Sequence, residues 1–515
     1  MNPQIAAAWA LLPRYLAWHV ALSASALAFG LAIGLPLAVA AARAPRLRWV
    51  SLTLASLIQT IPSLALLALF YPLLLAISAA LKPVGIALPA LGFLPSLLAL
   101  TLYSILPILR NTVAGLRGVD PAIVEAADGL GMTQGQKLAQ VEAPLAAPVA
   151  MAGVRTAAVW TIGAATLSTP VGQTSLGDYI FSGLQTENWV SVLFGCSAAA
   201  VLAITVDQLL GLIEAGLGAR DGRRVIGSAL ALLVGVVVAL TPLLGGGMAK
   251  DRYVVGAKNF SEQFILAELI SDRLRNAGAA TENKQGLGSA VAFRALAANK
   301  IDVYVDYSGT LWSNVLQRTD IPPRAALLAE LTRELKAKYG VTVMGSLGFE
   351  NAYALAIKAD KASALGVKSL DDLAAHATEL TLGSDLEFLS RPEWTGLQKA
   401  YGLRFKGQKS YNPTFMYRAI EDGEADVISA FSSDGRIAAD HLTTLSDPRS
   451  AIPAYDAVVL LAPKRAGDRR LISTLQPLIG AIPVERMREA NLTVDRDTDK
   501  KTPAEAAKAL AQTIR

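Results

Sequence analysis

Residues 125–144 read EAADGLGMTQGQKLAQVEAP, a polar segment inside an otherwise oily half-chain, and this stretch decides the fold. Glu125-Ala126-Ala127 opens a short helix. Gly131, four residues after Ala127, permits a turn, and Val141 with Pro144 ends a second helix, since proline cannot continue the ladder of amide hydrogen bonds. The surrounding chain is apolar: residues 50–81 and 225–244 contain no Asp, Glu, Lys or Arg. A helix crossing a bilayer needs about 20 mostly apolar residues. Six segments meet that need, roughly 16–42, 50–78, 88–109, 147–168, 190–215 and 225–244. The second is longer than one crossing requires, and Pro62 and Pro72 are expected to kink or interrupt it.

Basic residues in the connections set the orientation, because Lys and Arg favour the cytoplasm. Arg43, Arg46 and Arg48 lie in one connection, Arg110, Arg117 and Lys137 in another, and Arg220, Arg223 and Arg224 in a third. The alternate connections hold Lys82 alone and, between 168 and 189, no Lys or Arg. Six spans put every basic connection on one side: the N-terminus outside, 110–146 inside, and everything after about 245 outside. The last span also reads as a signal sequence, with Arg223-Arg224 before it and Gly247-Met248-Ala249 after it. Its length favours a retained anchor, and either reading exports the second half.

The 515 residues carry 47 Lys and Arg against 42 Asp and Glu, a net charge of +5, too mild to indicate a nucleic-acid partner. A mean hydropathy of +0.40 averages an oily first half with an ordinary soluble second half, which excludes a wholly cytosolic enzyme. Cys196 is the only cysteine, so no intrachain disulfide forms. His19, His376 and His441 are scattered, without an HExxH or CxxC spacing, and no metal site is expected. No GxxxxGK[ST] loop occurs, so the chain carries no phosphate cradle of that kind.

After Arg252, strand-like and helix-like segments alternate: a strand at 253–257, an amphipathic helix at 262–275, another strand at 301–307, and further units to the end. Such alternation predicts open sheets flanked by helices, with ligand at the carboxyl ends of the strands. Two lobes of this kind joined by a hinge would close around a solute. One lobe is expected over about 252–350 plus 455–515, and the other over about 355–450.

The 125–144 segment resembles the coupling loop of importer-type ABC permeases, whose pattern is EAA-x3-G-x9-I-x-L-P. Gln59-Thr60-Ile61-Pro62-Ser63, the 106–112 segment LPILRNT, and 172–180 with its Ser175-Leu176-Gly177-Asp178 resemble the glycine betaine, choline and carnitine branch of those permeases. In the second half, GAKNFSEQ at 256–263, DYSGT at 306–310, GFENAYAL at 348–355, SDGRI at 433–437 and PAYD at 453–456 are similar to successive motifs of the betaine-binding proteins of osmoprotectant importers. The resemblance covers nearly the whole chain. It implies an α-helical transmembrane permease of the type I ABC importer class over 1–220, a sixth span and linker over 221–250, and an α/β two-lobed periplasmic binding domain of type II over 251–515.

In that family Glu125, Ala126, Ala127, Gly131 and Pro144 would dock a separate cytoplasmic ATPase dimer, and two copies of the chain would form the pore in a bacterial inner membrane, among its lipids. The solute would be a quaternary ammonium held in a box of aromatic faces, because a methylated cation donates no hydrogen bonds and is held by cation–π attraction. Carried over motif by motif, the box is Tyr307, Tyr353, Phe431 and Tyr455, with Phe431 standing where the family commonly has Tyr. A betaine carboxylate would meet Lys258, Thr310 and Arg391. Glu350, Ala352, Glu393 and Trp394 depart from the family pattern, and Asp434 is assigned to a turn or hinge. Glycine betaine, carnitine and proline betaine suit this box. Choline would leave Lys258 and Arg391 unpaired, and ergothioneine, with its bulkier ring, would account for the altered 388–394 segment. The chain needs no cofactor and performs no covalent chemistry in this reading. The rivals are a membrane-tethered sensor that reports solute without transport and, more distantly, an extracellular enzyme, for which no nucleophile–base pair is evident.

Overall fold

The computed structural model describes residues 3–514 apart from 82, 84–87, 187, 245–251, 319, 386, 412 and 497. Lys82 and the Gly247-Met248-Ala249 candidate cleavage site therefore lie outside the described residues. The chain divides into two compact units, Met1–Ile180 with Val190–Gly247, and Phe181–Trp189 with Met248–Arg515.

The first half of the chain is helical: α1 Pro3–Arg43, α2 Pro45–Thr60, α3 Ser63–Leu81, α4 Phe93–Arg117, α5 Pro121–Gly129, α6 Gln134–Lys137, α7 Ala143–Ala165, α8 Gly177–Gln185, α9 Trp189–Ala219 and α10 Gly222–Leu244. Among the described residues five helices are long and apolar enough to cross a membrane, or six if α2 and α3 count together as one broken span. That pair bends by 101° where Pro62 removes a backbone donor, whereas Pro72 is carried inside α3 without a break. The first helix begins at Pro3, well before the expected start near residue 16. The interior is built on α4, whose Ile105, Leu106, Leu109 and Val113 pack against Ala38 and Ala41 of α1 and Ala55 of α2. Small residues on the partner helices allow that close approach, which in a lipid setting is what drives helices together.

The second unit contains two five-stranded sheets. Its strands are β1 Arg252–Lys258, β2 Ala280–Leu287, β3 Val303–Tyr307, β4 Thr342–Glu350, β5 Tyr353–Lys358, β6 Thr381–Asp385, β7 Gly407–Tyr411, β8 Val427–Phe431, β9 Leu442–Thr444 and β10 Asp456–Leu461. The first sheet runs β2-β1-β3-β10-β4 and the second β7-β6-β8-β5-β9. Pairing is parallel among β1, β2 and β3 and among β6, β7 and β8, while β10 and β5 run antiparallel to their neighbours. The strand β10, DAVVLL, is buried at every position, as expected for a central strand covered on both faces. The chain passes from the first sheet to the second through Asn351 and Ala352 and returns between β9 and β10. Because β5 and β10 run against the parallel strands, their starting ends fall beside the finishing ends of β8 and β3.

Candidate functional site

In the first unit the 125–144 segment forms a compact helix pair. Asp120 caps α5 by accepting from the Ala122 amide, Gly131 turns the chain at φ +75°, and Thr133 with Gln136 makes a reciprocal cap on α6. Lys137 is buried and donates to both oxygens of Asp128 at 2.8 and 2.9 Å, pinning the two helices together. Glu125, Ala126, Gly131 and Pro144 are exposed while Ala127 is buried, and Leu130 presents its side chain outward at 79% exposure. One expectation fails: Pro144 does not end a helix. The wider π-helical turn Leu138–Glu142 leads into α7, and Pro144 sits in that helix's first turn, where a missing amide hydrogen costs little.

In the second unit all seven expected solute contacts line one cavity of about 140 Å³: Lys258, Tyr307, Thr310, Tyr353, Arg391, Phe431 and Tyr455. Topology explains the convergence. Lys258, Tyr307 and Phe431 finish β1, β3 and β8, Tyr353 starts β5, and Tyr455 precedes β10. The β5–β8 register pairs Tyr353 with Phe431, so these rings stand side by side at 4.9 Å. Tyr455 meets Tyr353 edge-on at 5.9 Å. Phe260, quoted within a motif but not singled out, adds a ring parallel to Phe431 at 6.3 Å.

The charges are less open than the sequence implied. Lys258 is buried and ion-paired with Asp306, and its ammonium lies 5.1 Å from the centre of the Tyr307 ring. Arg391 is 5% exposed and contacts Glu387 and Glu393, each at 3.3 Å. It also donates to Thr310 at 3.3 Å and to the Tyr455 hydroxyl at 3.4 Å, and lies 5.1 Å from the Tyr353 ring centre. Burial would raise the Glu393 carboxyl, but the Arg391 charge and the hydrogen bond from Tyr455 hold it below the usual range. Choline would therefore leave neither Lys258 nor Arg391 unpaired, contrary to the expectation from the motifs, since both cations already have carboxylate partners. Glu393, which departs from the family motif, supplies one of them.

Sequence reasoning passed over the acceptors at this end of the sheets. Asp385, at the end of β6, lines the cavity, and burial raises its carboxyl. Glu262 is wholly enclosed and accepts from Tyr307 at 2.6 Å, Ser433 at 2.6 Å, Asn491 at 3.0 Å and Asn351 at 3.2 Å. Burial raises its carboxyl although all four donors oppose the shift. It thus ties the Tyr307 hydroxyl to Asn351 at the first sheet crossing, to Ser433 after β8 and to Asn491 in the helix Val484–Asp495. Asn351 also lines the cavity, and its side-chain oxygen is buried without a hydrogen-bond partner. A carboxylate one residue into a helix that begins at the end of a strand, as in the FSE of 260–262, was the available signal. Asp434 accepts both the amide and the guanidinium of Arg436, in the turn after β8.

Comparison with known proteins adds to this geometry. Residues 251–512 match the family described as the substrate binding domain of ABC-type glycine betaine transport systems, and 30–219 match the binding-protein-dependent transport system inner membrane component. The chain is 27% identical over 477 residues to the ergothioneine transport permease/ergothioneine binding protein EgtU of Helicobacter pylori, covering 89% of this chain and 82% of that protein. It is 39% identical over 196 residues to the choline transport system permease protein OpuBB of Bacillus subtilis, covering 38% of this chain and 83% of that protein. Among solved structures, that of a glycine betaine/carnitine/choline ABC transporter aligns with 50% of this chain and 97% of its own, at 25% identity and a TM-score of 0.45.

Proposed function

Because the chain belongs to the family of substrate-binding domains of ABC-type glycine betaine transport systems, and joins to that domain the permease of such an importer, we propose that it captures a trimethylammonium zwitterion outside the bacterial inner membrane and passes it inward. Two copies of the chain form the pore. A separate cytoplasmic ATPase dimer docks on the 125–144 helix pair and supplies the energy. The lobes that close on the solute are 252–350 with 455–515, and 355–450. Fusion keeps the effective concentration of receptor at the pore high.

One observation carries this reading: Tyr307, Tyr353, Phe431, Tyr455 and a buried guanidinium line the same cavity. Ring faces hold the methylated cation, and the carboxylate of the solute meets Arg391 and Thr310. Glu387, whose side chain is half exposed, gives way to that carboxylate, whereas the buried Glu393 stays. Lys258, neutralised by Asp306, backs the Tyr307 ring. Among candidate solutes ergothioneine fits best, because its ring carries two N–H donors, where carnitine and choline offer one hydroxyl and glycine betaine none. Asp385 and the unpartnered Asn351 oxygen offer acceptors for the two N–H groups. The relative matched over 89% of the chain is named for the same solute.

Calorimetry on the full chain in lipid nanodiscs tests the proposal with glycine betaine, carnitine, choline and ergothioneine. Tight binding of one compound, lost in Arg391→Ala and Tyr353→Ala, is expected, and no heat with any of the four overturns the cage. Binding by wild type without solute-stimulated ATP hydrolysis or uptake in proteoliposomes would select the sensor reading instead.

A further inference from the structure

The first unit carries an ionic cluster that the coupling loop and the cavity do not use. Arg155 stands twelve residues into α7, near the middle of a helix apolar enough to cross a membrane. Its guanidinium donates to both oxygens of Asp207 on α9, at 3.0 and 2.9 Å, and to Glu214 at 2.7 Å. Gly211 lies between the two carboxylates on α9, and a Cβ there would stand 3.2 Å from the guanidinium carbon, so the bare backbone makes room for the charge. The three side chains remain 27–31% exposed. Charges within a crossing segment cost several kcal/mol against hydrocarbon, so this face meets water or protein. Beside it opens a cleft of about 370 Å³ lined by Arg155, Thr156, Val159 and Asp207 together with Trp160, which is 54% exposed.

The composition repeats that of the outer cavity. There, too, one arginine is bridged by two carboxylates next to an aromatic ring, Arg391 with Glu387 and Glu393 beside Tyr353. In both places one guanidinium faces two carboxylates, which leaves a negative excess suited to a solute whose cationic end is its larger part. We propose that the cleft between Trp160 and Asp207 is a second, transient station for the same trimethylammonium zwitterion on its way through the permease. The solute carboxylate approaches Arg155 from the cleft, beside Asp207, while Glu214 holds the guanidinium from outside the cleft. The methylated cation then lies against the Trp160 face with Asp207 nearby. This inference rests on the import reading, since a sensor needs no station inside its membrane unit.

The test uses the full chain assembled with its ATPase in proteoliposomes, with labelled ergothioneine and labelled glycine betaine as probes. Trp160→Ala is expected to bind solute within about twofold of wild type yet import it at least tenfold more slowly, and Trp160→Tyr to keep at least half the wild-type rate. Uptake by Trp160→Ala within twofold of wild type overturns the station, as does equal failure of the Ala and Tyr variants. Should Trp160→Ala not assemble, Trp160→Leu against Trp160→Tyr decides: Leu fills the space without a π-face, so equal rates overturn the proposal and loss with Leu alone supports it. Failure of the import reading itself looks different, because wild type would then take up neither probe, whether or not it binds them.

Discussion

Arg391 and Arg155 are each held by two carboxylates, yet one is 5% exposed and enclosed by Thr310, Tyr353 and Tyr455, while the other is 31% exposed beside a single Trp. The difference lies in solvation, not in the charges. An enclosed guanidinium acts through a low dielectric and is costly to leave unpaired, so it suits tight capture. A partly hydrated one exchanges partners at little cost, which suits passage. On the proposed reading, one donor–acceptor set is tuned to holding or to releasing by how much water reaches it.

The largest effect should break the likeness between the two sites. Arg391→Ala leaves Glu393 buried and uncompensated, and is expected to weaken solute binding at least ~100-fold, about 3 kcal/mol, in calorimetry. Arg155→Ala should leave that affinity within about twofold while abolishing uptake. Next, Tyr353→Ala removes a desolvated π-face and should cost about 2 kcal/mol, roughly 30-fold in Kd, whereas Tyr353→Phe keeps the face and should stay within about threefold. The third effect has the opposite sign. Glu387 competes with the solute carboxylate for Arg391, so Glu387→Ala should tighten binding of a betaine about threefold and leave choline unchanged. A separate test, read in stability and not in affinity, concerns enclosure by itself. Burial raises the Asp495 carboxyl to about 6, against the pull of Arg436, so the folded chain holds this proton more tightly than the unfolded chain does. Its contribution to stability is present below about pH 4 and lost as pH rises through about 6. Denaturation of the chain should therefore show wild type losing on the order of 2 kcal/mol relative to Asp495→Asn across that interval.

Where the signal was local, the sequence was legible. Charge-free runs marked the crossing helices, and strands expected at 253–257 and 301–307 appear as Arg252–Lys258 and Val303–Tyr307. Five of the seven cavity residues converge because they sit at strand ends, while Thr310 and Arg391 follow β3 and β6 at short helical turns. Partnerships between distant residues could not be read this way. Asp306 and Glu393 neutralise the cations meant for the solute, and nothing in the motifs announces a buried ion pair 48 residues apart such as that of Lys258 with Asp306. Arg155 and Asp207, 52 residues apart, were visible as charges inside apolar spans, a signal that was available. Pro144 misled because it follows the π-helical turn Leu138–Glu142 and the helical run continues across it, as α3 continues across Pro72.

The π-helical turn after Lys137 has a mechanical consequence. It keeps Gln134–Val171 a single run of 38 residues, so the exposed helix pair is continuous with a rod roughly 57 Å long. Tilting such a rod by about 5° around its midpoint swings each tip by roughly 2.5 Å in opposite directions. Arg155 lies near that fulcrum and is displaced least. A tilt of that kind would move both ends while Arg155 stays nearly in place, so the proposed station would be spared the displacement of the docking end.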